Sequence, residues 1–228
     1  MSLESQMQQN APLPVSEEKL SNAFIAVMTR VYLWMTLGLA LTTAVSLWTL
    51  NTPAVLEFFF SRPFALIGLF VVQIALVIAL VAAVQKLSPV AAVGLFFLYA
   101  GLNGITLSSI FWVYDIGTIT MAFGVTAVVF VLLSVVGMTT KQDLTRWGPI
   151  LLFGLIGIII ATVVNIFLGS STLDLIITYA GVLIFMGLIV FDTKYIKQMT
   201  YKAAEQGTVE MVMSQLGIIG ALKLYLDF

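Results

Sequence analysis

Three ionisable side chains stand in otherwise apolar sequence after the first hydrophobic run of this chain. Asp192 lies in "LIVFDTKYIKQ", and Lys223 and Asp227 lie in "IIGALKLYLDF". An ionisable group inside a membrane span costs about 3 kcal/mol or more, so it marks function by default and calls for a partner. The midpoint between Asp192 and Asp227 falls in "QGTVEM", where Gly207 is a natural helix stop because glycine adopts the left-handed conformation at no steric cost. A helical hairpin turning there brings both carboxylates to the same height. Two carboxylates in a low-dielectric site share a proton as a coupled unit. Their neutral, hydrogen-bonded form holds the helices together, and deprotonation separates them or recruits a cation. Lys223 stands one turn before Asp227, at the i, i+4 spacing that pairs opposite charges, and can act as its charge partner.

The depth of the pair depends on which lysine marks the membrane edge. Counted from Lys202, Asp192 lies about 15 Å inside, and from Lys197 about 8 Å. Two carboxylates supply at most about four oxygens, fewer than a hard cation takes to complete its shell. Asp192 and Asp227 therefore make a weak metal site, suited to passage and not to storage.

The elements that must carry these groups are membrane helices. Of 228 residues, 61% are hydrophobic and 9% charged, with a mean hydropathy of +1.09. A soluble domain carries roughly 25% charged residues, so this chain has too few to cover a water-facing surface. The net charge of -1 excludes a basic nucleic-acid face. The absence of Cys and His removes disulfides, thiolate metal sites, cysteine nucleophiles, the usual zinc and haem ligands and serine–histidine catalysis. No cofactor is expected.

Apolar runs at Val31–Leu50, Phe64–Val84, Val90–Val113, Ile116–Met138, Trp147–Leu168, Leu175–Phe191 and from Met211 to Phe228 predict seven spans. They lack the strict alternation of barrel strands. The expectation is an all-α bundle over residues 23–228, after a polar, disordered cytoplasmic tail over 1–22 that lacks the features of a signal peptide. The tail and the even-numbered connections hold Lys19, Arg30, Lys86, Lys141, Arg146, Lys194, Lys197 and Lys202, whereas the odd-numbered connections hold only Arg62. This asymmetry places the N-terminus in the cytoplasm and the C-terminus outside a cell membrane.

Other polar residues have two readings. Asn103, Thr106 and Ser108 in the third run, and Asn165 in the fifth, either line a path or pack between helices. Gly101, Gly104 and Ser108 include a small-xxx-small spacing for close helix approach, and Gly154, Gly157 and Ala161 read as packing. The stretch "KYIKQMTYKAAE" reads as a cytoplasmic extension of the sixth helix.

"GLNGITLSSIFWVY", "FDTKYI", "ALKLYLDF" and the early "VYLWMTLGLALTTAVS" resemble, in order and spacing, the transmembrane Bax-inhibitor-motif (Bax inhibitor-1) family and its bacterial branch. The resemblance covers nearly everything after the tail. It implies seven helices with the seventh at the centre, and a pH-sensitive calcium leak whose proton-sensing aspartates are Asp192 and Asp227. Two features depart from the family pattern. The second run, "VVQIALVIALVAAVQK", has Gln73 where some members carry an acidic residue and a nearby arginine, so Lys223 is the cation available. Family chains also continue beyond "LYLDF", which suggests a seventh helix truncated at Phe228.

Two other functions compete with a channel. A non-conducting regulator of another membrane protein is compatible with the sequence. A presenilin-type di-aspartyl protease needs a Gly-x-Gly-Asp motif, and the residues before Asp227 are Leu224, Tyr225 and Leu226. A retinal Schiff base on Lys223 would need the opposite orientation. The expectation is a non-enzymatic protein whose partners are the bilayer, protons and calcium. The cysteine-free chain makes the orientation testable: a single cysteine at Ser61 should react with an impermeant maleimide on intact cells, and one at Thr140 only after permeabilisation.

Overall fold

The computed structural model describes residues 16–83 and 87–228 and is helical nearly throughout. The helices are α1 (Glu17–Leu50), α2 (Pro53–Phe60), α3 (Pro63–Ala83), α4 (Pro89–Leu107), α5 (Ile110–Val113), α6 (Ile116–Thr139), α7 (Trp147–Leu168), α8 (Ser171–Glu205) and α9 (Val209–Asp227). Their starts follow local capping chemistry. Ser16, Ser88 and Ser170 each accept a backbone N–H from the third residue onward, and Pro89 occupies the first turn of α4, where its missing N–H costs nothing. Their ends use glycine where the chain must turn. Gly169 closes α7 at φ 60° and Gly207 closes α8 at φ 66°. At Gly207 the N–H of Thr208 donates to Ala203 O at 2.9 Å and the N–H of Gly207 to Ala204 O at 3.1 Å. This is a Schellman turn, and it makes the α8–α9 hairpin.

Among the described residues, α1, α4 with α5, α6, α7 and α8 are each long and apolar enough to cross a membrane. A sixth span arises if α2 and α3, bent by 88°, count as one. The all-helical expectation therefore holds, and five or six of the expected spans qualify among the described residues. α9 is the inner helix of the assembly. It packs against α1, α8 and α4, and Ile218, Ala221, Leu222 and Leu224 are buried. A helix shielded by other helices can carry polar and charged residues that lipid would not accept.

The outer helices are the reverse, exposing Ile74 and Ile78 on α3, Leu132 on α6, and Phe153 and Ile160 on α7. Such a surface is stable only against lipid.

Several boundaries differ from the sequence expectation. Of the tail expected over 1–22, residues 1–15 lie outside the described residues, and Glu17–Asn22 form the first turns of α1. Lys86, counted in the charge asymmetry, also lies outside them. The third run breaks between α4 and α5, because Ser108 Oγ donates to Ile105 O at 2.6 Å and Ser109 Oγ to Thr106 O at 2.9 Å, which competes with the helical ladder. The sixth run is half of a 35-residue helix that continues past its lysines.

Asp115 N-caps α6, accepting from both the amide and the hydroxyl of Thr118, at 2.9 and 2.6 Å. The Thr118 hydroxyl, then its amide, hold the Asp115 carboxyl below the usual carboxylate range. A group depressed in this way stabilises the fold above its unfolded titration range and loses that contribution as pH falls through its folded value. Carboxyl NMR titration should place Asp115 below a free aspartate, and Thr118→Ala should move it back up.

Candidate functional site

The charged residues meet where α8 and α9 run antiparallel from the Gly207 turn. Asp192, on α8, is buried at 5% exposure, and its Oδ1 receives Lys223 Nζ at 2.8 Å from α9. Asp227, one turn beyond Lys223, is also buried and is an electrostatic neighbour of Asp192. Its Oδ2 has no hydrogen-bond partner. The Asp227 side also borders a cavity of about 550 Å³ between α6 and α8, whose wall is apolar except for Asp227, Thr126 and Thr178.

Lys223 therefore bridges helices and does not pair within its own. Helical side chains tilt toward their own N-terminus. In the antiparallel hairpin this tilt carries the lysine away from Asp227 and toward the level of Asp192 and Tyr195. Its ammonium also lies 5.1 Å from the centre of the Tyr195 ring.

Two lysines lie just beyond Asp192 on α8. Lys194 donates to the carbonyls of Thr140 and Gln142, and Lys197 donates to Met138 O at 2.7 Å. Thr140 and Met138 belong to the last turn of α6 and its cap, where carbonyls lack helical partners. Lys194 and Lys197 thus mark the end of the bundle, and Asp192 lies about 3 to 8 Å inside it. These lysines cap a helix instead of turning outward, and Lys197 also faces the rings of Phe24 and Tyr201.

Close approach of α6 sets the position of Asp192. A Cβ on Gly137 would stand 2.7 Å from Val190 O and 2.8 Å from Thr193 Cβ, so only glycine lets the two backbones come together there. Gly104 plays the same part between α4 and α1, where a Cβ would meet Thr42 O at 2.6 Å. Gly101 and Gly157, grouped with it as packing residues in the sequence, face open space.

A chain of hydrogen bonds secures the rest of α9. Tyr225 Oη lies 2.6 Å from Thr42 Oγ1, which is itself 2.9 Å from the carbonyls of Ala100 and Gly38. With the single threonine proton on a carbonyl, Tyr225 donates to Thr42 and accepts from Asn103 Nδ2 at 3.3 Å. Asn103 Oδ1 in turn accepts from Gln73 Nε2 at 3.0 Å, and Gln73 also donates to Thr106 Oγ1 at 3.0 Å. Four helices are joined in this way: α1, α3, α4 and α9. Asn103 and Thr106 are interhelical partners, Ser108 bonds back to its own helix, and Asn165 Oδ1 accepts from Ser170 N at 3.0 Å to close the α7–α8 turn. Of these residues Gln73, Thr42, Tyr225 and Gly137 were not singled out as site residues by sequence. Their only signal was a polar or small residue in an apolar run.

Among the described residues, no third acidic side chain and no histidine or cysteine joins the two aspartates in a metal-binding cluster. The carboxylate pair is the whole acidic set, and one of its oxygens is already held by an ammonium.

Replacing Gly137 with alanine should lower stability by about 1–3 kcal/mol through overpacking against backbone. Gly157→Ala, with space around it, should be neutral or stabilising by up to about 1 kcal/mol. Thermal unfolding of both variants in the same detergent checks the contrast.

Comparison with known proteins agrees with this architecture. The family described as "Inhibitor of apoptosis-promoting Bax1" matches residues 24–228. The chain is similar to the inner membrane protein YbhL of Escherichia coli K12, with 45% identity over 201 residues, covering 88% of this chain and 85% of that one. It is 37% identical over 209 residues to an uncharacterised protein of Borreliella burgdorferi, covering 92% and 88% of the two chains. An uncharacterised protein of Deinococcus radiodurans is 36% identical over 216 residues, 95% and 90% of the two. The chain is a multi-pass membrane protein and belongs to the Bax inhibitor-1 family.

Proposed function

We propose that this protein is a slow calcium leak of the cell membrane, non-enzymatic, in which protonation of Asp192 and Asp227 closes the path. The observation that carries the reading is the burial of both carboxyls side by side at the α8–α9 interface, with Asp227 Oδ2 left unpartnered. A buried, unpartnered carboxylate oxygen is costly, and it is relieved by a proton shared with the neighbouring carboxyl or by a passing cation. The first relief ties α8 to α9. The second needs the two helices to admit an ion.

The sign of the pH effect follows from repulsion. With both carboxyls ionised, Asp227 places a second negative charge beside that of Asp192, which favours separation of the helices and attracts a cation. Protonating Asp227 removes that repulsion and restores a hydrogen bond, so flux falls as pH falls. The incomplete oxygen set suits transit, where an ion must leave as readily as it enters. The lysine-capped end of the bundle, taken as cytoplasmic from the charge asymmetry, puts this gate near the cytoplasmic face.

Calcium entry into dye-loaded proteoliposomes, measured between about pH 5 and 8, tests the reading. Flux should rise with pH in the native protein, and Asp227→Asn should abolish the pH dependence. Asp192→Asn should do so as well and also release Lys223. No flux above empty liposomes at any pH would overturn the leak and favour a non-conducting regulator.

A further inference from the structure

We infer that Lys223 is a tethered cation that occupies the aspartate pair and competes with a divalent ion for it, so that calcium is held there only weakly. The inference rests on the proposed cation path for its consequence, but the underlying interaction is visible without it. Lys223 Nζ sits 2.8 Å from Asp192 Oδ1, at the distance of a charge-assisted hydrogen bond, in the place a bound cation would take. With both aspartates ionised, the ammonium leaves the cluster a single net negative charge. With Asp227 protonated, the cluster is neutral. Neither state offers the two negative charges that a divalent ion needs for neutralisation in a low-dielectric site.

The oxygen count points the same way. Calcium seeks 6–8 oxygens, the pair holds two carboxylates, and one of their oxygens is engaged by the lysine. A divalent ion must therefore drive the ammonium off Asp192 against its repulsion.

Lys223 has somewhere to go. Its side chain is 32% exposed while that of Asp192 is 7% exposed. The Tyr195 ring, 5.1 Å from the ammonium and one turn nearer the lysine-capped end, offers a second favourable position through its π face.

Among the described residues, no other charge on the packed helices duplicates this one. From α8 the site is faced by Asp192 and Tyr195, and from α9 by Lys223 and Asp227. α6 contributes no ionisable residue between Ile116 and Thr139. Lys194 and Lys197 are committed to carbonyls at the end of α6. On α1, Arg30 lies against Gly217, about 9 Å along α9 from Lys223.

Equilibrium binding of radioactive calcium to the full-length protein in zwitterionic phosphatidylcholine nanodiscs tests the assignment without requiring transport. Lys223→Gln keeps a donor for Asp192 but removes the charge, Lys223→Met removes both, and Lys223→Arg keeps the charge. Gln and Met should tighten calcium binding by about tenfold or more, Arg should match the native protein, and adding Asp192→Asn to Lys223→Gln should erase the gain. The charge-neutral Asp192→Asn, Lys223→Met pair supplies a folded baseline should Lys223→Met alone be unstable. Unchanged calcium affinity in Lys223→Gln, or a gain that survives Asp192→Asn, overturns the assignment. Tightened binding in a protein that passes no calcium would sink the leak and leave the role of Lys223 standing. Calcium flux with unaltered binding in Lys223→Gln would do the opposite.

Discussion

The ion pair between Asp192 and Lys223 is the constraint on which the arrangement of the bundle depends. An ionised carboxylate buried in a membrane protein calls for a counter-charge, and removing one partner of such a pair costs about 3–5 kcal/mol because the other is stranded. The pair spans α8 and α9, so it also fixes their relative height. The Gly207 turn at one end and the Asp192–Lys223 contact inside it make the hairpin a defined unit. Asp227 then falls beside Asp192 as a consequence of helix geometry, four residues beyond the lysine.

Around that hairpin the structure solves a second problem, how to keep a polar helix at the centre of an apolar assembly. α9 carries Lys223, Tyr225 and Asp227 near its end, and none of the three is offered to lipid alone. Tyr225 finds Thr42 and Asn103, and Asn103 finds Gln73, so hydroxyl and amide groups of four helices satisfy one another. Inside a membrane, where water does not supply substitutes, such a chain both binds the helices and sets their register. The glycines complete it. Gly137 and Gly104 let α6 and α1 approach α8 and α4 closely enough for short side chains such as Thr42 to reach across.

Much of the candidate site was legible before any coordinates. Asp192 and Asp227 stood out because charge in an apolar run is costly, and Gly207 located the turn that brings them together. Lys223 was visible too, but its partner was not. Sequence spacing favoured Asp227 at i, i+4, whereas the tilt of helical side chains and the antiparallel neighbour gave it to Asp192. Gln73, Thr42 and Tyr225 could not be connected, because hydrogen bonds between residues up to 183 positions apart leave no periodic trace.

The sequence by itself determined the class of this protein. Its long uncharged runs can be satisfied only as membrane helices, because backbone groups in lipid must pair within their own segment. It also determined the local stops, since Gly169 and Gly207 turn the chain with their own dihedral angles. Tertiary structure alone decided which aspartate Lys223 neutralises and which polar residues join across helices. Those outcomes depend on how helix faces meet in three dimensions, and hydrophobicity along a nearly all-apolar chain carries little information about facing.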